Sequence, residues 1–120
     1  MLVTGSATLN VSGSVNLSGN GTIVVLPSAS LQLFVGGKAN LRGNGIVNLG
    51  VPQNFRYFGT SSSSTLDLRV TTPFAGLIYA PTSICTISSS GNTTANLQGA
   101  IVTSTIVLAT PVDFHFDEGL

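Results

Sequence analysis

The sequence predicts an all-β protein, a single-domain parallel β-solenoid of about five coils, and three observations lead to this fold class. Apolar and polar residues alternate along most of the chain, one segment repeats after 24 residues, and glycine-rich corners separate the apolar runs. We expect the coil to be right-handed, because crossovers between parallel strands strongly prefer that hand.

Alternation is clearest in residues 7–17, where the apolar residues Ala7, Leu9 and Val11 are separated by the polar residues Thr8 and Asn10. A period of two predicts a strand with one buried face. The same alternation returns in residues 29–35, 66–70 and 83–87, and no window sustains a helical period. The strands of successive coils should therefore pair in parallel and place side chains of one parity in a shared core.

The repeat is seen when residues 10–21 (NVSGSVNLSGNG) are placed over residues 34–45 (FVGGKANLRGNG), which agree at seven of twelve positions. Apolar runs that begin at Gly21, Gly45, Gly76 and Gly99, each followed by a proline, are interpreted as one corner element of successive coils. The glycine spacings are 24, 31 and 23, and the longest contains TSSSST at 60–65. We therefore expect one domain over residues 1–120 with a flexible polar loop inserted near 60–65.

Composition excludes several classes of function. Four Lys and Arg residues balance four Asp and Glu residues, so no basic surface is available for nucleic acid or anionic lipid. No apolar stretch reaches the length that crosses a bilayer, so no membrane insertion by this segment is expected. The single cysteine, Cys85, has core parity and lacks a nearby base in the sequence, so we expect no cofactor, no catalytic residue and no enzyme activity.

The last strand carries most of the acidic residues of the chain. Asp113, His115 and Asp117 should share one face, which could hold a divalent cation. The alternative is an edge strand whose Phe114 and Phe116 cover the core while its charges prevent uncontrolled pairing. The sequence favours the edge strand, because ligand spacing alone is weak evidence for a metal site.

Three segments carry a resemblance to known proteins: residues 74–81 (FAGLIYAP), 97–102 (LQGAIV) and 114–120 (FHFDEGL). They resemble the C-terminal end of uncharacterised bacterial cell-surface proteins, often with pilin-like N-termini, which carry F-x-G-x-I-Y-A-P, G-A-x-V and F-H-Y/F-D-E-x-L. The resemblance implies a bacterial, exported β-solenoid domain located outside the cell or at its surface.

These observations predict a structural subunit of an extracellular or cell-surface assembly that associates with itself head to tail into a filament. The expected interface consists of residues near both ends of the chain: Val3, Ala7, Leu9, Phe114, His115, Phe116 and Leu120. The alternative is an adhesion or carbohydrate-binding module that recognises surface glycans. Exposed aromatic side chains would serve it, and the candidates for an outer position are Phe34, Tyr57, Phe58 and Tyr79, with core packing as the alternative for some of them.

Overall fold

The computed structural model describes residues 1–42, 45–70, 73–90 and 93–116. Of these residues 67% lie in strands and 3% in helix, the latter a single 3₁₀ turn at Pro52–Asn54. No helix in the described part of the chain is long and apolar enough to cross a membrane. The strands are β1 (Leu2–Val3), β2 (Ser6–Val11), β3 (Val15–Leu17), β4 (Thr22–Val25), β5 (Ser30–Val35), β6 (Ala39–Leu41), β7 (Gly45–Asn48), β8 (Phe55–Gly59), β9 (Thr65–Val70), β10 (Phe74–Ser89), β11 (Ala95–Leu108) and β12 (Val112–Phe116).

The strands stack into three walls in which every pairing is parallel. The first wall contains β2, β5, β8, β10, β11 and β12, and the second contains β3, β6, β9 and the second halves of β10 and β11. The third wall contains β1, β4 and β7. The chain is a β-solenoid of about four turns, which lead from β2 to β11 and stack five coils. The predicted fold class is thereby confirmed.

Side chains of one parity form columns that run through the core. In one column Leu9 pairs with Leu33, Leu33 with Tyr57 and Tyr57 with Ile78. Leu33, Tyr57 and Ile78 are all buried. Neighbouring strands lie about 4.8 Å apart, so successive side chains of a column touch and exclude water along the axis.

The strand register confirms the 24-residue repeat, because Asn10 pairs with Phe34 and Leu17 pairs with Leu41. The interpretation of the glycine, apolar run and proline as one corner element is wrong. The run after Gly45 forms β7 in the third wall, whereas the run after Gly76 lies in β10 of the first wall. A short apolar run fits any wall that covers the core, so its composition does not identify the wall.

The third wall ends early among the described residues. Twelve residues, 18–29, connect β3 to β5 and include β4, whereas only residues 71–73 connect β9 to β10. The Asn48 side chain closes β7 by donating from Nδ2 to the carbonyls of Val51 at 2.8 Å and Ala75 at 3.0 Å. The first three coils therefore have three walls, and the last two consist mainly of the long strands β10 and β11.

Two glycines allow β8, β10 and β11 to pack closely. A Cβ on Gly76 would lie 2.8 Å from the ring of Phe55 and 2.9 Å from that of Phe74, whose rings meet edge to face with centroids 5.9 Å apart. A Cβ on Gly99, whose φ is +135°, would lie 1.9 Å from the carbonyl oxygen of Gly76. Both positions require glycine, which gives the predicted glycine motifs a physical reason.

The polar segment near 60–65 connects β8 to β9 and lengthens the coil. The offset between paired residues rises from 24 at Val35 and Gly59 to 27 at Ala39 and Leu66. The loop does not project freely, because Ser63 is buried and its carbonyl accepts a hydrogen bond from Ser83 Oγ at 2.9 Å. These hydroxyl contacts anchor the loop to β10.

Candidate assembly surfaces

The core is open at the N-terminal end of the solenoid. Ala7 and Leu9 have inward parity and pair with the buried residues Leu31 and Leu33, yet they are themselves exposed, Leu9 by 40%. A concavity of about 460 Å³ lies between β1 and β2 and is lined by residues 1–9 and Leu31. The first coil thus presents core-type side chains to solvent.

Val3, which the sequence places in the same interface, lies elsewhere. It is buried, pairs with Val25 and belongs to the solenoid's own core. Its neighbour Leu2 points outward and is 60% exposed, as alternation along a strand requires. Leu2 is therefore the apolar side chain of β1 that a partner can contact.

Within residues 93–116 the core is also open at the C-terminal end. Phe114 and Phe116 have inward parity, since they pair with Leu97 and Gly99, and Phe116 is 64% exposed. A concavity of about 350 Å³ lies beside them, and its lining is almost wholly apolar: Ile87, Ala100, Ile101, Val102, Ile106, Leu108, Val112, Phe114 and Phe116. The aromatic side chains of β12 thus lie over the core end without closing it.

The second wall ends at the same surface with side chains that the sequence interpretation missed. Ile106 pairs with Cys85 and Leu108 pairs with Ile87, so both continue buried columns, but Ile106 is 47% and Leu108 57% exposed. Alternation in residues 95–108 does not give this parity, because the inward parity changes where the register against β10 shifts between the first and second walls. The number of coils, which decides whether a column residue is covered, could not be obtained from local pattern.

Both ends also offer backbone for pairing. Among the described residues β2 pairs only with β5, and β12 pairs only with β11. An unpaired strand edge carries free N–H and C=O groups that can extend a parallel ladder. The two ends of the first wall are therefore chemically complementary.

The charged residues of β12 lie on its outer face. His115 Nε2 is 3.4 Å from Asp113 Oδ1, and both side chains are more than half exposed. Asp117, the third candidate metal ligand, and Leu120, a candidate interface residue, lie outside the described residues. No group of three potential ligands occurs among the described residues, so this geometry provides two donors at most.

Cys85 is fully buried in β10, and burial raises its pKa to about 11, with the charge of Asp67 adding to the shift. A thiol with this pKa carries almost no thiolate at neutral pH, which is the form needed for nucleophilic chemistry. Tyr57 is buried as well, so its predicted outer position is wrong. Its hydroxyl has no hydrogen-bond partner of good geometry in the described part, and although Ser63 favours the phenolate slightly, burial dominates and raises the pKa of Tyr57.

The other three aromatic candidates lie on the outer face of the first wall. Phe34 pairs with Phe58, Phe58 with Tyr79 and Tyr79 with Val102, so these residues form one outward column. The rings of Phe34 and Phe58 are stacked with centroids 4.7 Å apart and an interplanar angle of 13°. Tyr79 is 53% exposed.

The profile of a family described as a domain of unknown function, DUF7305, matches residues 2–120. No curated protein and no solved structure matches the chain. The geometry described above is thus the basis for any functional inference.

Proposed function

Because the chain belongs to the family of domains of unknown function DUF7305, its role is inferred from its own geometry, and we propose that it is a structural module of an extracellular or cell-surface assembly whose copies associate end to end. The observation that carries the proposal is the pair of open core ends. Exposed apolar patches of this kind usually mark interaction sites.

The columns of the second wall indicate how two copies would meet. Val15 begins the column that ends in Ile106, and Leu17 begins the column that ends in Leu108. If the C-terminal end of one copy contacts the N-terminal end of the next, each column continues across the joint with an aliphatic pair. In the first wall, Phe116 of one copy lies near Ala7 and Leu9 of the next.

Electrostatics permits this contact. The formal net charge is zero, and the described residues that line the two concavities at the ends include no Asp, Glu, Lys or Arg. His115, which the sequence interpretation placed in the interface, and Asp113 point to the outer face and would flank the joint. Apolar contact between these described linings therefore meets no like-charge repulsion between copies.

Such a joint is heterologous, because a different surface of each copy takes part. Repetition of a heterologous contact that does not close produces a filament. The first and second walls continue through the joint, while the third wall has no strand after β7 in the part of the chain that the structure describes. The expected filament therefore has a notch that repeats once per copy.

Sedimentation velocity over a concentration series tests this proposal. We expect oligomers whose size increases with protein concentration without reaching a fixed limit. Phe116→Asp should abolish the growth, because it places a charge in the apolar joint. Leu49→Asp, at a leucine that is 54% exposed and lies outside the two ends, should not abolish it. A chain that remains monomeric at every concentration would overturn the proposal.

A second candidate function, glycan binding, is favoured by the outward column of Phe34, Phe58 and Tyr79. Exposed aromatic rings bind the apolar faces of sugars, and this column lies on a side wall that end-to-end association leaves free. The same chain could therefore build a surface structure and adhere to carbohydrate. Binding to immobilised oligosaccharides, with Tyr79→Ala as the comparison, tests this candidate.

A further inference from the structure

The outer face of the first wall contains a groove with a single cation. Its volume is about 290 Å³, and it is lined by residues 56–58, residues 77–79, Ala100 and Val102. The register places Arg56 beside Leu77 and Leu77 beside Ala100, so small and apolar side chains follow the arginine along one column. The groove forms because Ala100 is short between its larger neighbours.

Arg56 has no acidic partner in the described part of the chain. The described ion pairs join Arg42 to Asp67 and His115 to Asp113. The Nε of Arg56 donates to the carbonyl of Gln53 at 3.2 Å, and the residue is half-buried. A guanidinium partly removed from water gains most from a carboxylate, which can accept two parallel hydrogen bonds.

The aromatic column runs along the same groove. The stacked rings of Phe34 and Phe58 cover each other's faces, which leaves Tyr79 as the exposed ring next to Arg56. Gln32 pairs with Arg56 in the preceding coil, so one amide lies beside the guanidinium. An aromatic ring, a cation and an adjacent amide suit a ligand that is a sugar and carries a carboxylate.

We propose that the groove between Arg56 and Tyr79 binds an acidic saccharide, with the ligand carboxylate on the guanidinium and a sugar ring against Tyr79. The proposal rests on the second candidate function, glycan binding, and is independent of end-to-end association. It assigns the ligand class and two residues, of which Arg56 determines the preference for acid and Tyr79 the preference for sugar.

The test uses an oligogalacturonate and its methyl ester, which have the same sugar backbone and differ at the carboxyl group, and measures binding to the full chain by calorimetry. The acid should bind at least about tenfold more tightly than the ester, because the ester cannot form a charge-assisted pair. Arg56→Gln should lower affinity for the acid to that for the ester. Tyr79→Ala should lower the affinity for both ligands by a similar factor. Tyr79→Phe should retain the affinity of the unchanged chain, since it keeps the ring.

Arg69→Gln is the matched control, because it removes an arginine from β9 in the second wall and should change affinity less than about twofold. Equal binding of acid and ester would overturn the assignment of an acidic ligand while leaving glycan binding intact. If neither the acid nor the ester binds, both the acidic ligand and the glycan-binding function are overturned. Equally tight binding of an oligoglutamate would show that the groove recognises an acidic peptide, such as a segment of another protein, and would also overturn the proposal.

Discussion

The first three coils and the last two enclose one continuous core in different ways. In the first three coils a third wall covers the core with Ile23, Val25 and Ile46. Later connections are shorter, residues 71–73 between β9 and β10 and residues 90–94 between β10 and β11, and the rings of Phe55 and Phe74 lie close to Gly76. The described part of the last two coils thus has no strand in the third wall, and its tightest contacts are those at Gly76 and Gly99.

The largest effect is expected where the later coils are tightest. In Gly99→Ala the new methyl group would collide with the Gly76 carbonyl at a φ of +135°, so unfolding free energy should fall by at least about 3 kcal/mol. Gly13→Ala is the matched control from the first coil, where a Cβ meets nothing within 4 Å. Urea denaturation followed by circular dichroism measures both. Equal stability of the two variants would contradict the close packing of β10 and β11.

A second comparison uses one column at two depths. Leu33→Ala should lower the free energy of unfolding by about 2–5 kcal/mol, because Leu33 is fully buried between neighbouring coils. Leu9→Ala truncates the same column at the open end, where Leu9 is 40% exposed, and should cost less than about 1 kcal/mol in dilute solution. The same denaturation experiment applies. Equal costs would mean that the N-terminal end is covered in solution.

The buried thiol of Cys85 predicts that stability depends on pH at the boundary between the two regions. Cys85 belongs to β10 and pairs with Leu66 of β9, the last strand of the first three coils. Its pKa is raised from an ordinary 9.0 to about 11, so the folded state keeps the neutral thiol while the unfolded chain ionises. Stability is therefore complete below about pH 9 and falls by roughly 2 kcal/mol as the pH rises towards 11. Denaturation midpoints at several alkaline pH values measure this loss. Cys85→Ala should reduce the slope, and an unchanged slope would contradict the assignment.

The smallest effect is expected at the step where the third wall ends. Asn48→Ala removes the hydrogen bonds to the Val51 and Ala75 carbonyls and should lower the free energy of unfolding by about 1–2 kcal/mol. Asn16→Ala, on the exposed face of β3, is the control and should be nearly neutral. Thermal unfolding resolves the difference. Identical melting temperatures would show that Asn48 does not hold β7 to β10.

The sequence predicted the fold where a local pattern carries the information. Alternation and the 24-residue repeat were sufficient for the strands and for the pairing of Asn10 with Phe34. The end of the third wall was not predictable, because the apolar runs after Gly45 and Gly76 are alike although they lie in different walls. Tyr57 was misplaced for a related reason, since its neighbours Arg56 and Phe58 gave no clear parity.

Parts of the candidate surfaces were also visible in the sequence. Leu9, Phe114 and Phe116 follow from inward parity near the two ends of the chain. Ile106 and Leu108 did not, because their exposure depends on how many coils lie above them. The isolation of Arg56 in a groove depends on the register of three strands and on the small size of Ala100.

Mixing two end variants tests the central claim most directly. Leu9→Lys blocks the N-terminal end and Phe116→Asp blocks the C-terminal end, so each variant alone should be monomeric by sedimentation velocity. An equimolar mixture should form a dimer and grow no further, because one intact end of each variant remains. A mixture that stays monomeric, or one variant that dimerises alone, would contradict head-to-tail association through the open core ends.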